Sequence, residues 1–351
     1  VLADELASRR KEVAAIDARL TQDVDRLISY VGAGGKRLRP QFLCWGWIAA
    51  QSAAQPDAQL QQPPMGVMKA AAALELIQAC ALLHDDIIDR SDTRRGRPSV
   101  HRSVEKFHAS NRWAGDPAHF GISSALLLGD LALAWADDLF TDGITELGQP
   151  VGAIAPWRAM RTEVLAGQML DLRITADSVA HPETAAADAM VVNRFKTAAY
   201  TVERPLHLGA ALASASDGIV TALRAYGVAI GLGFQLRDDL LGVFGDPAVT
   251  GKPAGGDLIE GKKTVLLAMA RSDLAGTPPL LAELDAGLGV PLSAQQLTHL
   301  TSIIAGTDAP AAVESQITAL LEEAKVALTA ISSPARENLH RLALAATARD
   351  R

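Results

Sequence analysis

The chain has 351 residues, 49% hydrophobic and 21% charged, which is enough to bury a large core, and it carries a formal net charge of -7. That acidic balance argues against nucleic acid as the main partner, because binding to its backbone needs a broad basic surface. Lys69, Glu75 and Asp130 interrupt the longest apolar stretches, so none is expected to be a membrane span of about 20 apolar residues, and no signal-peptide pattern is visible.

Aromatic residues make up only 4%, and runs rich in Ala and Leu recur with polar residues at helical intervals, which predicts an all-α chain. Helices are expected over about 3–30, 38–54, 66–90, 98–109, 119–140, 156–173, 184–213, 217–243, 260–272, 294–305 and 309–330. Gly, Pro and Asp punctuate the breaks, as in Gly32 to Gly35, Gln55 to Pro64 and Pro247 to Gly256. No break is long or biased enough for a flexible linker, and no period of about 20 to 50 residues repeats, so one domain over 1–351 is the economical reading. The tail from about 280 onward has helix-forming composition and no recognisable chemistry. Cys44 and Cys80, the only cysteines, lie in apolar surroundings and read as reduced, buried thiols of a cytoplasmic protein.

Chemistry is concentrated in two acidic clusters that close apolar helical runs, Leu82-Leu83-His84-Asp85-Asp86-Ile87-Ile88-Asp89 and Phe234-Gln235-Leu236-Arg237-Asp238-Asp239-Leu240-Leu241. On a helix, Asp85 and Asp89 stand one turn apart on one face, so their carboxylates can converge on one ion. Hard oxygen ligands favour Mg²⁺, and a site with few carboxylates per ion leaves room for substrate phosphate. Matching cations flank the first cluster: Gly34-Gly35-Lys36-Arg37-Leu38-Arg39-Pro40 before it, and Arg90, Arg94, Arg95, Arg97 and Arg102 after it. The glycines of the first segment let backbone approach a diphosphate, while Lys36 and Arg39 supply charge. Gly245 to Gly251-Lys252 is no P-loop, since five residues intervene where that motif has four and Pro253 follows where it has Ser or Thr.

These motifs, in this order from about Tyr30 to Thr264, resemble those of the trans-isoprenyl diphosphate synthases, which elongate an allylic diphosphate with isopentenyl diphosphate. In detail they are similar to the geranylgeranyl diphosphate synthases of actinobacteria, whose second motif also reads Asp-Asp-Leu-Leu-Gly before a Gly-Asp-Pro…Gly-Lys-Pro-Ala-Gly loop. The resemblance implies an isoprenoid-synthase fold and a homodimer. It also implies Mg²⁺-dependent condensation of isopentenyl diphosphate with dimethylallyl, geranyl or farnesyl diphosphate. By the same resemblance Asp85 and Asp89 hold two Mg²⁺ and Asp238 a third, with Asp86 and Asp239 in support. Lys36, Arg39, Gln78 and Arg95 are implied to bind isopentenyl diphosphate, and Arg94, Lys196, Lys252 and Lys262 to neutralise the allylic diphosphate. Lys196, Thr197 and Gln235 match the positions that flank the developing carbocation. A terpene cyclase of this fold lacks the Lys36/Arg39 segment, and a regulatory subunit would have lost its aspartates.

The chain departs from the family pattern at three places. Gly242 stands where many relatives have a third Asp, Gln78 replaces a His, and Gly256 precedes Asp257 where a second Asp is common. Other residues read as structural: His84 as a packing or supporting residue, Trp45, Trp47 and Trp135 as core or subunit contacts. Asp137-Asp138 is expected to be a solvated helix end without a basic complement. Product length follows from helix geometry, since a turn rises about 5.4 Å, close to one extended isoprene unit. Ile77, Cys80 and Ala81 lie upstream of Asp85 and none is an aromatic plug. The tunnel is therefore expected to admit a C20 chain, with its floor near Ala71 to Leu74 and Ser123 to Leu128.

Overall fold

The Ala- and Leu-rich runs fold into helices with the expected boundaries in most cases, and local chemistry explains where they differ. The computed structural model describes residues 1–55, 62–94, 96–177, 182–245 and 255–347. The first predicted helix is two, α1 (Leu2–Ile16) and α2 (Thr21–Gly32), divided by a single 3₁₀ turn. Asp17 divides them: its backbone is extended and its carboxylate accepts from the Arg19 amide at 2.8 Å. Next come α3 (Leu38–Ala54) and α4 (Met65–Ile88), then a two-residue hairpin, Thr93–Arg94 with Arg97–Pro98, and α5 (Val100–Ser110). Helix α6 (Pro117–Glu146) starts at an Asp116 cap with Pro117 in its first turn and runs beyond the predicted end.

Helix α7 (Ile154–Ala176) precedes α8 (Ala185–Val192), a π-helical segment (Asn193–Glu203) and α9 (Arg204–Leu212). The long α10 (Asp217–Phe244) follows, then α11 (Gly256–Glu260) and α12 (Val265–Asp273). Helix α11 is not among the expected helices, and the helix expected from about 260 begins instead at Val265, beyond Gly261, whose φ of +68° suits glycine. The tail is helical as its composition predicts: α13 (Pro278–Gly287), α14 (Ala294–Ala305), α15 (Ala309–Ala327) and α16 (Ala335–Thr347).

Two clusters of buried apolar side chains hold these elements together. The larger includes Leu74, Leu139, Leu206 and Tyr226, the smaller Leu236, Leu266 and Ile304, and Leu320 and Leu321 pack against both. Helix α3 meets α9 closely because Gly46 and Gly209 carry no side chain: a Cβ on Gly209 would fall 1.9 Å from the Leu43 carbonyl oxygen.

One sequence expectation needs correction here. Among the described residues three helices, α4, α6 and α10, are by length and composition apolar enough to cross a membrane, because their few charges do not offset the surrounding Ala, Leu and Ile. In this fold α4 is largely buried against its neighbours, 72% of its most apolar window lying inside the protein, against 33% for α6 and 44% for α10.

Candidate active site

Helices α4 and α10 each end in their aspartate motif, and the π-helical segment lies against the residues of both. Asp86 is 1% exposed and accepts from Arg94 Nε at 2.7 Å, while Arg94 Nη2 reaches Asp85 Oδ2 at 3.2 Å. Lys196 Nζ lies 2.6 Å from Asp171 Oδ2 and 3.4 Å from Asp85 Oδ1. Lys262 Nζ lies 2.6 Å from Glu260 and 3.6 Å from Asp89 Oδ2. In the second motif Asp239 is buried, accepting from Gln235 Nε2 at 2.8 Å and from Asn193 Nδ2 at 3.4 Å.

The electrostatics follow from burial set against these cations. Burial acts to raise the Asp85 carboxyl, but Lys196, Arg94 and Lys262 together hold it below the usual carboxylate range. Asp89, buried and beside the Asp85 charge, is pushed up to about 6. Asp239 is pushed up to about 7, chiefly by burial, against the Gln235 hydrogen bond. Burial opposes the charge on Lys196 and Lys262, yet Asp85 and Asp171 raise the first, and Asp257, Glu260 and Asp89 the second.

Arg39, Gln78 and the π segment form a second group. Arg39 Nη2 donates to Thr201 Oγ1 at 2.8 Å, its guanidinium lies 4.0 Å over the Tyr200 ring, and the Tyr200 hydroxyl donates to Gln78 Oε1 at 2.9 Å. The loop that carries Lys36 turns through Gly34 and Gly35, with φ of +93° and +126°. It is tied down by Arg37, which pairs with Glu75 of α4 and donates to the Val31 carbonyl at 2.7 Å. The Lys36 carbonyl accepts from Gln41 Nε2 at 2.6 Å. Thr197 and Asp238 are half-buried. Arg95 and Lys252 lie outside the described residues.

Several of these residues were given no site role by the sequence. Asp171, Tyr200, Thr201, Glu75 and Arg37 are single polar positions on amphipathic helices, or beside a charge already noted, and only the packing brings them to the site. At the departure from the family pattern, the space beside Gly242 is taken: a Cβ there would lie 1.9 Å from Asp257 Oδ2.

Upstream of Asp85, Ile77 and Cys80 are buried and Ala81 is half-buried. His84 turns towards α6, its Nε2 3.2 Å from the Leu126 carbonyl and its Nδ1 3.8 Å from Cys80 Sγ. Trp47 and Trp135 are buried in the core. The reading of Asp137-Asp138 is corrected, because the pair lies inside α6 and has basic partners. Asp137 accepts from Trp157 Nε1 at 2.7 Å and pairs with Arg161, and Asp138 lies 3.3 Å from Arg9.

No group of three or more His, Cys, Asp or Glu is gathered closely enough to cage a metal among the described residues. The cations explain the spacing, since Lys196 stands between Asp85 and Asp171, and Lys262 stands against Asp89. The donor set nevertheless suits Mg²⁺: every side-chain donor is a hard carboxylate oxygen, and Asp86 Oδ2 is buried with no hydrogen-bond donor among the described residues.

Comparison with known proteins bears on this arrangement. Residues 21–279 match the family model described as polyprenyl synthetase. A geranylfarnesyl diphosphate synthase of Natronomonas pharaonis is 32% identical over 81% of this chain and 82% of its own length. A geranylgeranyl diphosphate synthase of Mycobacterium tuberculosis is 36% identical over 61% of this chain and 55% of its own. Among solved structures, a geranylgeranyl pyrophosphate synthase from Corynebacterium glutamicum, complexed with isoprenyl diphosphate and magnesium, superposes with a TM-score of 0.90. It is 46% identical, and the match covers 99% of this chain and 96% of that one.

Proposed function

The chain belongs to the polyprenyl synthetase family, and on that premise we propose that it condenses isopentenyl diphosphate with an allylic diphosphate, head to tail, to make geranylgeranyl diphosphate. The observation that carries this reading is the Lys196 ammonium held between Asp85 and Asp171, at the end of an apolar helix that has Ala81 one turn before Asp85 and no Phe, Tyr or Trp along its length. The whole-length likeness to the corynebacterial synthase supports it. Farnesyl and geranylfarnesyl synthases among the relatives make a C15 or C25 product the nearest alternative.

In this reading Asp85, Asp89 and Asp238 hold magnesium, about three ions per site, with Asp86 and Asp239 in support. Magnesium, when bound, supplies positive charge that stabilises the departing diphosphate. Arg94, Lys196, Lys252 and Lys262 add charge to the same leaving group, while Lys36, Arg39, Gln78 and Arg95 bind isopentenyl diphosphate. The allylic C–O bond breaks and the diphosphate leaves with the electron pair. The isopentenyl double bond then attacks the cation, and the new cation loses a proton to the departed diphosphate. Thr197 and Gln235 face the cation, and the apolar wall built by α4 keeps water from quenching it.

Three further assignments belong to this reading. The described residues act as one domain, since Leu320 and Leu321 pack against both apolar clusters. The protein works as a homodimer, supported by exposed apolar residues on α6 (Ile122, Leu126, Leu127) and α7 (Leu165, Met169, Leu172). A cytoplasmic setting suits the two cysteines: Cys80 is buried as expected and Cys44, corrected from that expectation, is half-buried on α3, and burial raises both thiols, that of Cys80 to about 12.

The test is incubation of the pure protein with Mg²⁺, isopentenyl diphosphate and each of dimethylallyl, geranyl and farnesyl diphosphate, followed by sizing of the products. A C20 product from all three primers is expected. Absence of any elongated product would refute prenyl transfer, and a product ending at C15 or C25 would correct the chain length alone.

A further inference from the structure

Asn193–Glu203 is π-helical over 11 residues, whereas such helices usually occupy a single turn and recur at functional sites. Its winding is supported from outside. A Cβ on Gly167 of α7 would lie 2.5 Å from the Lys196 amide nitrogen. On α10, a Cβ on Gly227 would lie 2.5 Å from Glu203 Cα, and one on Gly231 would lie 2.5 Å from Ala198 Cα. Bare backbone at these three positions admits a helix wider than the α form. An ion pair also spans the segment: Arg194 Nη2 lies 2.5 Å from Glu203 Oε2, with the Glu203 side chain 0% exposed. Arg224 of α10 donates Nε to the other Glu203 oxygen at 2.9 Å.

Arg194 and Glu203 are nine residues apart in sequence. In an α-helix nine residues make about two and a half turns, which puts the two side chains on opposite faces. With i→i+5 bonding and roughly 4.4 residues per turn, nine residues make about two turns and the side chains share a face. The ion pair therefore belongs to the π winding. The same winding sets the contacts that the segment makes with the site: Asn193 with Asp239, Lys196 with Asp85 and Asp171, Tyr200 with Gln78, and Thr201 with Arg39. Between Asn193 and Thr201, a return to α winding would rotate one end against the other by roughly 145°. Only one end would then still face the site.

We propose that Arg194 and Glu203 are positioning residues, whose ion pair selects the π winding and so holds Lys196 against the first aspartate motif while Thr201 holds Arg39. The proposal rests on the prenyl-transfer reading for its kinetic consequences and on geometry for its structural one. Neither side chain touches substrate in this assignment. Removing Arg194 leaves Glu203 paired with Arg224, so the buried carboxylate is not stranded.

The experiment compares the parent with Arg194→Met, which keeps side-chain length without charge, and with Arg194→Lys, which keeps charge. Thermal melts and steady-state constants for both substrates are measured, and the crystal structure of Arg194→Met is solved. Arg194→Met should melt close to the parent, lose about tenfold or more in kcat and raise the KM for isopentenyl diphosphate about fivefold or more, with Arg194→Lys recovering most of both. Loss of folded molecules alone lowers kcat and leaves KM unchanged, so the KM effect separates positioning from stability. Parent-like constants in Arg194→Met, or a π-wound 193–203 in its crystal structure, overturn the proposal. An inactive parent overturns the prenyl-transfer reading, and the winding in the variant crystal then still decides the positioning claim.

Discussion

The carboxylates of the first motif have different sets of neighbours, Asp85 meeting both Arg94 and Lys196, Asp86 Arg94 and Asp89 Lys262, and so respond differently to substitution. Asp85→Ala should abolish turnover while melting close to the parent, because Lys196 keeps Asp171 and Arg94 keeps Asp86; turnover assays and thermal melts on one preparation check this. Arg94→Ala should be the reverse in stability. It strands the buried Asp86, a loss of about 3–5 kcal/mol where one partner of a buried pair is removed, measurable by denaturant unfolding. Gly242→Asp, which restores the residue common in relatives, must displace the Asp257 carboxylate. Only the tip of the Asp257 side chain has to move, so the substitution should destabilise by no more than about 1 kcal/mol, the low end of overpacking costs, and leave the Mg²⁺ concentration for half-maximal rate no lower than in the parent. A clear fall in that concentration would mean that Asp257 yields the space without loss. Legibility at this scale depends on repetition. Asp85 and Asp89 stand out because two carboxylates recur one turn apart after an apolar run, whereas Asp171 is a lone acid on an amphipathic helix and is indistinguishable from a solvated one.

At the scale of elements, product length in the proposed reading depends on α4. Ile77 and Cys80 are buried and Ala81 is half-buried beside the motif, so bulk added at 81 projects from the same side of the helix as Asp85. Ala81→Phe should shorten the main product to C15 or C10 by sterics, as read by product sizing; an unchanged product at an unchanged rate would show that this helix does not line the tunnel. The helices themselves were legible because Ala and Leu runs with helical periodicity carry both propensity and burial. Two features were not. The break at Asp17 depends on one side chain capping its own turn, with no Gly or Pro to announce it. The π segment depends on glycines of two other helices and on an ion pair across nine residues, and a reading of local periodicity averages such causes into a single long helix.

For the whole molecule, family and architecture were legible because the motifs keep their order over most of the chain and residues 21–279 match the family model. Membrane-like hydrophobicity is a poor guide here: among the described residues three helices satisfy it by length and composition, yet α4 spends its apolar surface inside the fold. The ion pairs of the site have a consequence for the protein without its metal. Arg94, Lys196 and Lys262 act as resident counterions, so the acidic helix ends do not repel one another apart when divalent ions are withdrawn. Folding should therefore not depend on metal loading, unlike small domains whose structure exists only with a bound ion. Chelation by EDTA should accordingly silence turnover while shifting the melting temperature by no more than a few degrees, and added Mg²⁺ should restore the rate without a refolding lag. A melt that collapses in EDTA would mean that the lysines and arginines are too weak as stand-ins. If they suffice, the entry of a magnesium diphosphate is an exchange of counterions, in which cations released from aspartates turn to the incoming phosphates.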